Sequence, residues 1–416
     1  MKKDRTKGKQ RSIVQFEMLE ECIRMKAQEF IQEVFEGEVN DFLGRGKSDR
    51  IKPGIDKSRG YRNGYGKVRK LALMNRTVTI RRPRVRNTEE RFESMIVPYF
   101  KRKSKELGDV LPELYLHGLS SGDFELALRG LLGKGAPLSA SSIQRLKAKW
   151  QLEYEQWQSR DLSKIEVVYW WADGIYVKAG LEKDKAALLV IIGVLKSGEK
   201  VLLACESGYR ESKESWKGVL RSLRDRGLKF PELTVADGHL GIWSALGELH
   251  PEGDEQRCWN HKIRNVLDAM PKRLRAEASE LLKSVPYAET QEKCEKLRDK
   301  FISRYKNDYT KATKKLLSDW ERMVTFSQYP KEHWVHIRTT NIVESPFSSV
   351  RLRTNASKRF KKVESASSMI WKLLKVAEKS FRRLKGYWLL TDVLEGKQFV
   401  NGVAIQEINR VERKAA

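Results

Sequence analysis

The chain has 416 residues, 40% of them hydrophobic and 33% charged, the composition of a globular protein with at least one sizeable core and room for about two to four domains. Its 82 Lys and Arg against 55 Asp and Glu leave a net charge of +27, an excess that repels itself in the folded state unless a polyanion is bound. Nucleic acid is therefore the expected partner, ahead of a membrane surface; the longest apolar run, Ala186 to Leu195, has 10 residues, too few to span a bilayer.

The basic N-terminus runs into Phe16-Glu17-Met18-Leu19-Glu20-Glu21, which is charged and helical rather than the core of a signal peptide, so a cytoplasmic protein is expected. Four widely spaced cysteines, Cys22, Cys205, Cys258 and Cys294, make no disulfide framework and suit a reducing compartment. From Phe16 to Leu43 the apolar positions Leu19, Cys22, Ile23, Ala27, Phe30, Ile31, Val34 and Phe35 recur at helical spacing. Packing on its own domain is the favoured use of this helix, pairing with another subunit the alternative.

Residues 45–70 hold ten Lys or Arg, interleaved with glycines and with Tyr61 and Tyr65. A basic Gly-rich loop of this kind follows a phosphate backbone well. The run Arg81 to Arg86 continues it, so Arg62, Arg82 and Arg84 are candidate DNA contacts, a solvated basic loop being the alternative. Between Gly108 and Trp150 the pattern suits a helix-turn-helix. Leu111 to His117 starts one helix, Phe124, Leu128, Leu131 and Leu132 face inward on the next, and Gly133 to Pro137 breaks it. In the last helix Ile143, Leu146 and Trp150 point inward, leaving Gln144, Arg145, Lys147 and Lys149 to reach bases and phosphates.

The block from 165 to 260 carries the chemistry. Val167 to Asp173 is an almost wholly apolar run ending in one carboxylate, the mark of a buried central strand, and Gly174 leaves room for a close approach. Leu233 to Asp237 repeats the arrangement, ending in Asp237-Gly238. Asp-Gly also makes turns at strand ends, so spacing alone does not decide. Between them lie strands at Leu188–Leu195 and Val201–Cys205 and a helix with Trp216, Val219, Leu220 and Leu223 facing inward. Three antiparallel strands, a crossover helix and a fourth strand parallel to the first put the two aspartates side by side.

Gln256 to His261 reads as a fifth short strand running into a helix. Cys258 and His261 have the spacing of half a zinc site, but Cys294 with His333 or His336 completes it poorly, so packing or a substrate contact is favoured. Residues 262–335 are helical and charged, an all-α insertion. Arg338 to Ser345 then supplies caps and an acid, Glu344, beside a helix with Val343, Phe347 and Val350 inside. Pro346 requires that helix either to begin at Ser345 or to kink. Residues 351–385 hold twelve Lys or Arg, among them Arg351, Arg353, Lys358 and Arg359, which either hold DNA near the acid or form a solvated face.

Together these segments resemble the Mutator-like bacterial insertion-sequence transposases. The likeness rests on Y-W-W-A-D-G at Asp173, V-A-D-G-H-L-G-I-W at Asp237, Q-R-C-W-N-H-K-I-R-N, and T-T-N-I-V-E-S-P-F-S-S-V-R-L-R-T around Glu344, with Arg62-Asn63-Gly64-Tyr65 and Leu116 to Ser121 adding to it. The resemblance implies an α/β fold with an RNase H-like core, a mixed five-stranded sheet flanked by helices and interrupted by an all-α insertion, behind helical N-terminal DNA-binding domains. It implies a catalytic and metal-holding triad of Asp173, Asp237 and Glu344, with Cys258 and His261 forming the family's C-x2-H signature. The expected organisation is 1–108 basic DNA-binding and oligomerisation region, 109–160 helix-turn-helix, 161–265 first part of the core, 266–335 insertion, 336–390 final Glu helix and basic helix, and 391–416 tail.

The expected reaction is strand cleavage and transfer on double-stranded DNA, both element ends and target, with two Mg²⁺ ions, Mn²⁺ substituting, and a homodimer or larger assembly. A non-catalytic DNA-binding regulator and a structure-selective nuclease are the alternatives.

Overall fold

The computed structural model describes residues 3–49, 60–73, 77–95, 113–116, 118–119, 140–179, 186–208, 210–238, 240–357, 360 and 362–405. The chain divides into two compact units, Met1–Leu146 and Lys147–Ala416.

In the first unit the amphipathic segment is helix α1, Lys3–Leu43, extending further toward the N-terminus than its periodicity indicated. In its C-terminal half Phe35 packs with Leu71, Val78 and Ile80 and is flanked by Ile31 and Leu73. Met18, Leu19, Ile23 and Phe30 remain exposed. The Gly-rich basic stretch is not one loop. Strands β1 (Tyr61–Tyr65) and β4 (Pro83–Arg86) pair antiparallel, as do β2 (Arg69–Ala72) and β3 (Thr77–Ile80). Leu71 and Ala72 at the end of β2 and the alternate residues Val78 and Ile80 of β3 are buried, so this ladder has apolar residues to cover that a loop would leave in water.

Of the expected helix-turn-helix, residues 113–116 are helical and the last helix forms as α2 (Ala140–Gln158), while 120–139 lie outside the described residues. In the second unit, the C-terminal half of α2 is held by Tyr154, whose hydroxyl donates to the Cys205 carbonyl at 2.6 Å. The rings of Tyr154 and Trp157 also lie 5.7 and 5.8 Å from that of Trp371.

The heart of this unit is a mixed five-stranded sheet. Strands β5 (Val167–Val177), β6 (Ala186–Leu195) and β7 (Lys200–Gly208) are antiparallel. Helix α3 (Lys213–Asp225) crosses over to β8 (Leu233–Ala236), and helix α4 (Leu240–Leu249) leads to β9 (Asp254–Arg257); β8 is parallel to both β5 and β9. The order β7-β6-β5-β8-β9 puts the first and fourth strands side by side, as the sequence predicts, with the fifth at the edge.

Both faces of the central strands are covered, which is why they read as unbroken apolar runs. On one face Trp170 and Ala172 pack with Trp216, Val219, Leu220 and Leu223 of α3 and Ile242, Trp243 and Leu246 of α4. On the other, the Tyr169 hydroxyl bonds His333 Nδ1 at 2.9 Å, and Trp171 Nε1 donates to the His336 carbonyl at 3.0 Å.

Beyond β9 the chain is helical through α5 (Trp259–Leu267), α6 (Arg275–Ser284), α7 (Gln291–Tyr305) and α8 (Thr310–Leu317) to Ile337. It then returns to the sheet as α9 (Asn341–Glu344), α10 (Phe347–Ser357) and α11 (Val363–Glu378). The proline produces a kink rather than a helix start. Ser345 N–H still bonds the Asn341 carbonyl at 2.9 Å, the chain has no donor at Pro346, and α10 begins one residue later. Val343, Phe347 and Val350 are fully buried, as their spacing predicts. Among the described residues no helix is long and apolar enough to cross a membrane.

Candidate active site

Asp173 follows Ala172, the last residue of β5 to pair with β8, and Asp237 follows Ala236, its partner on β8. The two carboxylates therefore leave adjacent parallel strands at the same level, roughly 5 Å being the spacing of neighbouring strands. Asp173 is not at a strand end, however. β5 runs on to Val177 against β6, with Asp173 opposite Val190, because Ile175 and Val177 keep the buried alternation going after β8 has stopped. Each aspartate accepts the N–H of the glycine after it, Gly174 to Asp173 Oδ1 at 2.8 Å and Gly238 to Asp237 Oδ1.

Glu344, the last residue of α9, comes to the same place. His261 Nδ1 lies 3.8 Å from Asp237 Oδ1 and 3.7 Å from Glu344 Oε1, so one imidazole touches both acids. Burial pushes the Asp173 carboxyl up to about 8; the Gly174 N–H opposes this, and the charges of Glu211, Glu344 and Asp237 add to it. All three acids singled out in the sequence thus act on one another, although they are up to about 170 residues apart in the chain.

A fourth acid, Glu211, was not anticipated. It sits just before Ser212, the N-cap of α3, and is only 8% exposed. What approaches Gly174 is this side chain: a Cβ there would stand 2.5 Å from Glu211 Oε1. Gly241 is equally constrained, since its Cβ would lie 2.2 Å from the Glu211 carbonyl. The lone sequence signal was Gly174 itself, which announces a close approach without saying of what.

Cys258 is the N-cap of α5 and His261 stands one turn on, so the C-x2-H spacing sets both on one face of the helix start. Cys258 Sγ accepts the Thr340 N–H at 3.3 Å and lies 3.1 Å from Thr340 Oγ1. That oxygen is 3.5 Å from His261 Nδ1 and donates to Glu344 Oε1. Burial raises the Cys258 thiol to about 11. Ligand atoms of Cys258, His261 and Glu344 all fall within 4.8 Å of one another. The other zinc candidates are engaged elsewhere: Cys294 Sγ donates to the Val285 carbonyl at 3.2 Å, His333 joins Tyr169 and the Gly386 carbonyl, and His336 Nε2 accepts the Lys385 N–H at 3.1 Å.

Among the side chains expected to meet DNA, Gln144, Arg145, Lys147, Lys149, Arg84 and Arg351 are exposed, while Lys358 and Arg359 lie outside the described residues. Arg62, Arg82 and Arg353 turn inward instead. Arg62 donates to Glu36 at 3.0 Å and to Asn40, and Arg82 and Arg353 are 9% and 3% exposed. A guanidinium beside a helix carboxylate gains a charge-assisted bond that an exposed loop does not offer, which explains Arg62.

A mixed sheet that brings acids from two strands and a returning helix to one point, on a strongly basic chain, defines the class: an enzyme acting on nucleic acid. The chain belongs to the Mutator family of transposases, whose family pattern matches residues 2–383. It is 43% identical over 296 residues to the transposase for insertion sequence element IS6120 of Mycolicibacterium smegmatis, covering 71% of this chain and 92% of that one. It is 38% identical over 279 residues to the transposase for insertion sequence element IST2 of Acidithiobacillus ferrooxidans, covering 67% and 94%. Among solved structures, the Drosophila P element transposase strand transfer complex matches 71% of this chain and 86% of that one with a TM-score of 0.30 and 14% identity.

Proposed function

We propose that this transposase cuts and joins DNA at a centre formed by Asp173, Asp237 and Glu344 on an RNase H-like core, binding the terminal inverted repeats of its element. The observation that carries the reading is the convergence of three acids, with Asp173 driven to about 8 by burial and by charges that are all acidic. A donor set of carboxylate oxygens whose mutual repulsion calls for a cation fits hard divalent ions such as Mg²⁺. When bound, a pair of such ions activates the attacking oxygen and neutralises the leaving one. Asp173, Asp237 and Glu344 are the side chains that would hold these ions.

The rest of the work belongs to the protein. The buried strands β5 and β8 fix the two aspartates, and the kink at Pro346 ends α9 with Glu344 turned toward them. The exposed cations of α2, β4 and α10 supply contacts for the phosphate backbone. Water first displaces the 3′ oxygen at the element end from phosphorus, and the freed 3′-OH then displaces an oxygen of the target strand. Joining two ends calls for at least two copies, and the exposed apolar face of α1, with Leu19 and Ile23, is a surface that a second copy would cover.

The test uses a plasmid carrying the reading frame and its flanking DNA, incubated with purified protein and Mg²⁺. Nicks should map to the element ends and vanish with Asp173→Asn, Asp237→Asn or Glu344→Gln, while binding to the same DNA in EDTA persists. Full cleavage by any of the three variants removes that residue from the centre.

A further inference from the structure

Thr340 is fully buried at the meeting point of the C-x2-H element and the final acid. Its Oγ1 faces Cys258 Sγ at 3.1 Å, His261 Nδ1 at 3.5 Å and Glu344 Oε1, to which it donates. Three ligand-type atoms so close together resemble a site for a soft metal ion. Yet the space among them is filled by the threonine hydroxyl, which touches each one.

We infer that Thr340 is a positioning residue for Glu344, and that Cys258 and His261 serve to hold Thr340 rather than to bind zinc. The inference rests on Glu344 belonging to the catalytic centre. A hydroxyl has one proton and two lone pairs. Its proton goes to the carboxylate, the strongest acceptor within reach. The Cys258 thiol then faces an Oγ1 lone pair, while its sulfur takes the Thr340 N–H at 3.3 Å and so fixes the threonine backbone as well.

Two further bonds tie the start of α5 to this stretch. Trp259 N–H donates to the Arg338 carbonyl at 3.0 Å, and Asn260 Nδ2 donates to Asn341 Oδ1 at 2.9 Å. The Glu344 N–H bonds the Thr340 carbonyl at 3.0 Å. Main chain and side chain of Glu344 are therefore both referred to one residue, and one carboxylate oxygen stays directed while the other is available to a ligand. A group that orients a metal-holding carboxylate typically affects affinity or turnover by about 10- to 100-fold.

The experiment compares Thr340→Val, which keeps the shape and deletes the hydroxyl, with Thr340→Ser, which restores it, in the full-length chain. Three quantities are measured: plasmid cleavage, binding of the same DNA in EDTA, and Mn²⁺ binding by calorimetry without DNA. Thr340→Val should lower turnover and Mn²⁺ affinity by about tenfold or more with DNA affinity unchanged, and Thr340→Ser should recover both. Wild-type cleavage and Mn²⁺ affinity in Thr340→Val overturn the inference. So does a thiolate-to-metal charge-transfer band on titration with Co²⁺ that disappears in Cys258→Ser, because the cysteine would then be a ligand. Glu344→Gln is run alongside: if it cleaves normally, the catalytic assignment fails, and the Thr340 comparison reports on structure alone.

Discussion

Removing the charge of Asp173 should make the metal-free protein more stable and at the same time inactive. In the unfolded chain this carboxyl titrates near 3.8; in the folded site it holds its proton to about 8. The folded pKa is the raised one, so its stabilising contribution is complete below about pH 4 and is lost as pH rises through about 8. At pH 7 the gap is about three units, a penalty of up to about 4 kcal/mol. Asparagine has nearly the same shape, still offers an oxygen to the Gly174 N–H, and directs its own N–H groups toward Glu211, Asp237 and Glu344. Part of the penalty should be recovered, about 1 to 3 kcal/mol, read as a rise of several degrees in Tm. The assay is calorimetric melting of both proteins in EDTA at pH 5 and pH 8, repeated with Mn²⁺. The advantage of Asp173→Asn should be larger at pH 8 and should be reversed by Mn²⁺, which stabilises wild type by about 2.7 kcal/mol at a hundredfold excess over Kd. A variant less stable than wild type at pH 8 in EDTA, or a difference that ignores pH, would refute the reasoning that this charge is held against its own environment.

Two glycines of α4 separate space from propensity: Gly247→Ala meets nothing within 4 Å and should add about 0.5 to 1 kcal/mol, whereas Gly241→Ala presses on the backbone at Glu211 and should lower Tm and weaken Mn²⁺ binding together. Equal melting shifts for the two would show that the loop carrying Glu211 yields freely. A pair of arginines on α10 distinguishes a DNA contact from a packing role. Arg351→Ala, on the exposed side, should weaken DNA binding and reduce the slope of log K against log salt by about 1, while Arg353→Ala, on the buried side, should lower Tm and leave that slope unchanged. Gel-shift titrations at four salt concentrations with parallel melting curves decide between them.

Sheet order and the pairing of Asp173 with Asp237 were legible because burial on both faces writes continuous apolar runs, and a crossover helix of this length has one sensible handedness. The helix behind Glu344 was legible from the spacing of Val343, Phe347 and Val350. What escaped reading depends on tertiary neighbours. β5 continues beyond Asp173 because Ile175 and Val177 keep a buried face and β6 is long enough to pair with them, and the second condition is a property of the partner strand. Arg62 looks like any loop cation until Glu36 and Asn40 arrive from α1. Glu211 precedes an ordinary N-cap, and only the folded loop brings it over Gly174.

The same distinction explains how the centre can exist at all. Four acids around one point repel one another, and Asp173 is buried besides, so these charges work against folding here. The opposing force comes from the apolar residues of the same strand: Trp170, Trp171 and Tyr169 are fully buried on either side of it, and each such side chain contributes on the order of 1.5 to 3 kcal/mol. The aromatic run Y-W-W immediately before Asp173 is therefore more than a strand signal. It anchors the backbone where the charge is least welcome, and replacing any of those rings with alanine should release the aspartate before it unfolds the sheet.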